Sequence, residues 1–295
     1  MSGSDDLSKN IVENYSQVES PLGVVLSTLS SVGKTVADIT ISDLEGATQF
    51  HAGGGIATLK LFEELQFTPG EKVLDIGSGL GGPAFICAAL GCSVEGIDLT
   101  PSFVEAATAL ADFPRVNSEI SKNNGSATFT VGDVSSLPGI EGDNVDKSYM
   151  IHVGMNLHPD VKVKMATELY RVLKPGGMFG IFDAVLGNGE PSYPLPFATC
   201  KEQSFVGKHE EYTSVFEAAG FRTVANESVD PRRGGFDLHT VEMQGVASAL
   251  LGAGNSTSEL SLSAVMGSSW NTRRKNYFEA LGKGAFILRR IVFKK

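Results

Sequence analysis

Between residues 72 and 185 the chain changes hydrophobic period again and again. The short apolar runs KVLDIG (72–77), SVEGIDL (93–99), ATFTVGD (127–133), VDKSYMIHV (145–153) and MFGIFDAV (178–185) read as strands. GGPAFICAALG follows the first of them as a helix, and TPSFVEAATALA follows the second, with Thr100 at the N-cap and Pro101 at the first helical position. VKVKMATELYRVL forms a further helix, stopped by KPGG. Strands alternating with helices predict an α/β fold: a doubly wound, mostly parallel sheet with helices on its faces.

The flanks follow other patterns. Residues 8–45 read as helix in pieces, with Leu22, Val25, Leu26 and Leu29 at helical spacing. FHAGGG (50–55) breaks that pattern, and ATLKLFEELQF resumes it as an amphipathic helix ending before Pro69-Gly70. After Val185 periodicity fades. LGNGEPSYPLPFATCKEQSF holds three prolines and reads as a long loop, a length that compact domains usually reserve for function. HEEYTSVFEAAG reads as helix, FRTVANESV as strand, and 237–282 as mostly helical around the break GAGNSTS (252–258). AFILRRIVF closes the chain as an apolar strand. The expected organisation is a helical cover over 1–55 and one domain over 56–295. That domain carries a lid loop at 186–206 and a helical insertion at 230–282.

Composition narrows the class of partner. A formal charge of −10 argues against a nucleic-acid partner. Three cysteines without metal-ligand spacing (Cys87, Cys92, Cys200) fit neither a disulfide framework nor a zinc site, and suit a reducing compartment. No apolar run reaches the roughly 18–20 residues of a membrane span, and MSGSDDLSKN has neither a signal nor a transit pattern. The expectation is a cytoplasmic protein with a small-molecule substrate, no membrane or nucleic-acid partner and no metal. Oligomeric state is not legible.

The turn after the first strand carries the chemistry. Gly77, Gly79 and Gly82 satisfy G-x-G-x-x-G, and Asp98 ends the next strand where a ribose-binding acid belongs. Backbone N–H groups and a helix N-terminus can face a ligand there. Nicotinamide-dependent enzymes and methyltransferases both meet this pattern. Asp75, two residues before the first glycine, tilts the choice: a carboxylate repels a pyrophosphate and suits a cation. S-adenosylmethionine carries a sulfonium and an ammonium and no phosphate.

The ordered set VLDIGSGLGG, VEGIDLT, VGDVSSLP, VDKSYMIHVGMNL, ELYRVLKPGGMFGIFD and FEAAGF, over roughly residues 55–226, resembles the class I S-adenosylmethionine-dependent methyltransferases. FHAGGGIAT and LDIGSGLGG look most like the small-molecule N-methyltransferases of the sarcosine/dimethylglycine and phosphoethanolamine type. The resemblance implies a Rossmann-like sheet of seven strands, with AFILRRIVF as its antiparallel last strand. It also implies site roles. Gly77, Gly79 and Gly81 would line the methionine moiety with Asp75 nearby, and Asp98 would accept from both ribose hydroxyls. Leu99 would pack on the adenine, and Asp133, with Val134 beside it, would meet the adenine amino group. His152, ending the fourth strand, would face the methyl donor or act as base on the acceptor, and His51 would cover the cofactor.

Each residue also has a plain structural reading. Asp133 could cap a turn, His152 could sit satisfied under the loop, and His51 could fix the FHAGGG turn. Cys87 and Cys92 read as core, and His158 as surface. Trp270 and its NTRRK neighbours could form a helix face or part of a pocket. Arg232, Arg233, Arg273 and Arg274 could clamp an acceptor's carboxylate or phosphate, or be solvated charges. The first expectation is methyl transfer to the nitrogen of a small polar amine. A carbon, oxygen or thioether acceptor is the alternative, followed by a nicotinamide-dependent oxidoreductase and a catalytically inert binding protein.

Overall fold

The structure, a computed structural model, describes residues 3–230, 235–251 and 260–295. GAGNSTS, Arg232 and Arg233 lie outside the described residues. Helices α1 (Gly3–Tyr15), α2 (Pro21–Ser31), α3 (Ile41–Thr48) and α4 (Gly54–Leu65) precede the first strand, β1 (Lys72–Ile76). The alternation then runs α5 (Gly82–Ala89), β2 (Ser93–Asp98), α6 (Pro101–Ala111), α7 (Pro114–Ser121), β3 (Ser126–Val131), β4 (Val145–Ile151), α8 (Pro159–Val172) and β5 (Leu173–Leu186). The last third holds α9 (His209–Ala218), β6 (Arg222–Val229), α10 (Val241–Leu250), α11 (Leu262–Met266), α12 (Trp270–Gly282) and β7 (Phe286–Lys294).

The strands form one seven-stranded sheet in the order β3-β2-β1-β4-β5-β7-β6. The five strands read from the alternation are parallel, and β7 runs antiparallel between β5 and β6. This is the expected Rossmann-like methyltransferase sheet. Strand order reverses at β1, with β2 on one side and β4 on the other, and ligands bind such sheets at the carboxyl edge of that switch.

Alternation of side chains divides the core between the two faces. On β1, Val73 joins a cluster with α4, α5 and α6, while Leu74 and Ile76 join one with α8 and α9. Helix α5 is apolar on every side and all eight of its residues are buried, so it sits inside that first layer rather than on it. Ser20 and Thr40 cap α2 and α3 with their side chains, the latter as a capping box with Asp43. Cys87 and Cys92 are core residues.

Local readings differ from the structure in three places. KPGG does not precede β5 but lies inside it: β4 pairs with β5 at Val145↔Leu173 and again from Lys147↔Met178, so the extra residues form a bulge. Thr100 stands at the N-cap of α6 without a side-chain cap bond, and its backbone N–H donates to Asp98. PRVNSEIS forms the short helix α7, which the alternation did not suggest. Among the described residues no helix is long and apolar enough to cross a membrane.

Candidate active site

The turn from β1 to α5 is built on the end of β2. Gly77 and Ser78 donate their N–H groups to the Ile97 carbonyl at 2.8 and 3.1 Å. Gly79 N–H donates to one Asp98 carboxylate oxygen at 2.9 Å, and Thr100 N–H to the other at 2.8 Å. Two backbone donors therefore fix the Asp98 carboxyl and leave each oxygen a further lone pair. Burial raises its pKa, against which those donors pull down. Gly77 has φ +72°, and a Cβ there would lie 2.4 Å from Val153. Only glycine lets the turn close against β4.

A cavity of ≈ 90 Å³ opens on this turn. Gly77, Gly79, Asp98, Leu99, Val134 and His152 line it from the sheet side, and Ile11, Tyr15 and Phe50 from the N-terminal segment. Phe50 stacks on Phe103 of α6 with ring centroids 5.4 Å apart. The cavity thus has one anionic wall at Asp98 and apolar walls at Leu99, Phe103 and Val134. A ribose and a flat base would ask for those chemistries, and the glycines add bare backbone beside them.

Four expected site residues stand off this wall, His51 in an adjoining chamber and Gly81, Asp133 and Asp75 elsewhere. Gly81 (φ +84°) begins α5, and a Cβ there would strike Phe129 and Phe85, so packing explains the glycine. Asp133 accepts the Ser135 N–H at 2.8 Å, as a turn cap does. Asp75 is only 2% exposed and pairs in register with Tyr149 of β4. One of its carboxyl oxygens has no hydrogen-bond partner, and burial pushes its pKa up to about 8. At neutral pH that carboxyl is mostly protonated, which weakens the charge argument that singled it out.

A second chamber of ≈ 250 Å³ adjoins the first and shares Tyr15, Phe50 and His152 with it. His51, Met155, Phe197, Trp270, Tyr277 and Phe278 also line it. His51 Nδ1 meets the Ala52 carbonyl at 3.2 Å, and its Nε2 lies 3.0 Å from Thr58 Oγ1, a hydroxyl able to donate to it, and 2.8 Å from Gln49 Oε1; a neutral ring donates at one nitrogen and accepts at the other. Burial lowers its pKa to about 4. His152 sits 5.8 Å from it, centroid to centroid, between Phe182 and Tyr277. Its backbone is left-handed (φ +55°), and its Nε2 is buried without a partner. Burial, and then the His51 charge, lowers its pKa well below 6.5, so the imidazole is neutral at pH 7. A strained residue with an unsatisfied nitrogen is what functional sites hold and packing alone avoids.

Several lining residues escaped the sequence reading. Tyr15 lines both cavities, its hydroxyl 3.3 Å from Asn156 Oδ1, and burial pushes its pKa up to about 12. Asn14 beside it donates to the Pro196 carbonyl and accepts from Arg273, tying α1 to the 186–206 loop and to α12. Nothing local marks either residue. On α12, Trp270 and Arg274, both offered by the sequence as pocket candidates, share one helical face with Tyr277 and Phe278 at i, i+4, i+7 and i+8, a spacing that could have added the last two.

The model of a methyltransferase domain matches residues 74–181. A sterol 24-C-methyltransferase from Debaryomyces hansenii is 32% identical over 127 residues, covering 43% of this chain and 31% of that protein. A phosphoethanolamine N-methyltransferase from Plasmodium falciparum is 28% identical over 186 residues, 62% of this chain and 66% of that one. The chain thus spans about a third of the sterol relative and about two thirds of the phosphoethanolamine relative. Among solved structures, geranyl diphosphate C-methyltransferase from Streptomyces coelicolor A3(2), in complex with S-adenosyl-L-homocysteine, superposes with a TM-score of 0.62 at 14% identity. That match covers 100% of this chain and 99% of the other, and shows the shared fold.

Proposed function

We propose that this chain, whose residues 74–181 are a methyltransferase domain of the S-adenosylmethionine-dependent class, moves a methyl group onto a small molecule held beside His152. One observation carries the reading: the cavity on the glycine turn and the aromatic chamber meet at Tyr15, Phe50 and His152. Bound S-adenosylmethionine supplies a methyl on a sulfonium, which leaves as a neutral thioether. The protein's task is then alignment across that junction, and positioning of this kind can contribute roughly 7–11 kcal/mol. In this reading Asp98 holds the ribose hydroxyls, Leu99 and Val134 pack on the base, and Gly77 and Gly79 present backbone. The segment through Gly55 and the 186–206 loop, joined by Asn14, act as a cover.

A nitrogen acceptor draws support from the neutral His152 and from the likeness to a phosphoethanolamine N-methyltransferase. An alkylamine with a pKa near 10 is neutral about once in a thousand molecules at pH 7, a deficit of roughly 4 kcal/mol. The burial that keeps His152 neutral also makes it a weak base, so its imidazole would accept an N–H from an amine already neutral and orient the lone pair, the amine's own deprotonation supplying the reactive form. The chamber favours a second reading, a carbon or phenolic oxygen on an apolar acceptor. Its walls are largely aromatic, and no carboxylate among the described residues lines it to hold a cationic amine.

A metabolite-library screen reading S-adenosylhomocysteine release tests the function, with His152→Ala beside the wild type. Turnover should fall about 10²–10⁴-fold in the variant while S-adenosylmethionine affinity stays within about twofold. No release with any acceptor, or no S-adenosylmethionine binding, would overturn the proposal. Full turnover by the variant would make His152 structural.

A further inference from the structure

The sequence offers four arginines as clamps for an acidic acceptor, and the structure separates two of them. Arg273 is buried and donates to Asn14, away from the chamber. Arg274 lines the chamber, its guanidinium carbon 5.2 Å from the centroid of the Phe278 ring. Among the residues lining the chamber, Gly53, Arg274 and Phe278 are the exposed ones, so these three mark its opening. The acid nearest to it along α12 after the first turn, Glu279, is engaged by Lys275 and Lys283.

The chamber therefore changes character from mouth to floor. At the mouth stands a guanidinium resting on an aromatic ring. Such a cation sheds part of its hydration and keeps its planar fork for a two-oxygen anion. Trp270, Phe197 and Tyr277, all buried, wall the middle. At the floor, the Tyr277 hydroxyl and His152 Nε2 are both buried and lack hydrogen-bond partners. A buried polar atom without a partner is costly, so the floor is built for a ligand's donor or acceptor.

We propose that Arg274 anchors an oxyanion on the acceptor. The acceptor is then a flat, apolar-bodied acid, its carboxylate or equivalent at the mouth and its reacting atom on the floor beside Tyr277 and His152. A small zwitterion such as an N-methylated glycine reaches the arginine but leaves the aromatic middle unfilled. The inference rests on the methyl-transfer reading only for which end reacts. The oxyanion site itself is independent of it.

The test is calorimetric binding to the full chain saturated with S-adenosylhomocysteine, using benzoate, phenyl phosphate and benzamide. An acid should bind about tenfold more tightly than the isosteric amide, from a charge-assisted hydrogen bond at a partly exposed site. Arg274→Gln should remove that preference and leave S-adenosylhomocysteine affinity unchanged, and Arg274→Lys should restore part of it. Equal binding of acid and amide by the wild type overturns the proposal. So does a preference that survives Arg274→Gln, or no binding of either acid. If S-adenosylhomocysteine itself fails to bind, the methyltransferase reading falls, and the same titrations without it still decide the role of Arg274.

Discussion

Replacing Asp75 by asparagine should remove a loss of stability just above neutrality. In the fold, burial raises this carboxyl from 3.8 to about 8, with one oxygen unpartnered. Between those values the folded state binds more protons than the unfolded one. The folded state is therefore unpenalised below pH 3.8 and loses stability as pH rises toward 8, at up to 1.36 kcal/mol per unit. Integrated from pH 6.5 to 8, with the group half-titrated at the upper end, the loss is about 1.6 kcal/mol. His51 and His152, neutral in the fold, still titrate near 6.5 when unfolded and add about 0.8 kcal/mol of stability over the same window, so the difference between wild type and variant, in which they cancel, is the quantity that reports Asp75. Urea unfolding at the two pH values, for wild type and Asp75→Asn, measures it. Across the window the wild type should lose about 1.6 kcal/mol relative to the variant, since an amide does not titrate. Parallel profiles in wild type and variant would refute a buried, protonated Asp75. S-adenosylmethionine titration of the same variant decides whether the side chain also serves the cofactor: an unchanged affinity removes it from the site.

Asp98→Ala should weaken S-adenosylmethionine binding roughly ten- to a hundredfold, because hydrogen bonds to a charged acceptor are worth about 1.5–3 kcal/mol; an unchanged dissociation constant in a folded variant rules the residue out. Gly77→Ala should abolish cofactor binding and lower the unfolding midpoint, since its Cβ would meet Val153 at 2.4 Å from a left-handed backbone. With an amine acceptor identified, the rate should rise with pH only through the amine's own deprotonation and stay featureless near pH 6.5, because His152 is neutral well below that value; an inflection near 6.5 that vanishes in His152→Ala would contradict its burial. Hydrogen exchange in residues 186–206 and in the segment through Gly55 should slow when S-adenosylhomocysteine and acceptor bind, and identical exchange with and without them would count against a cover.

Short-range pattern was enough to determine the sheet. Apolar runs at period two, helices at period 3.6 and the glycine turn between Ile76 and Gly82 are properties of adjacent residues, so all seven strands were legible before folding. Asp98 was legible too, because the turn and the end of β2 belong to one βαβ unit. The junction of the two cavities was not. Tyr15 and Asn156 lie 141 positions apart, and Asn14 and Pro196 lie 182 apart, so no window of sequence contains either contact. The protonation of Asp75 is beyond local pattern for a related reason. Sequence fixes that it is an acid at the end of β1, but its charge depends on how much water reaches it. That depends on Tyr149 and on the helical layer packed over the strand. Periodicity is a local property of the chain, whereas burial, and with it charge and cavity shape, exists only once distant segments have packed.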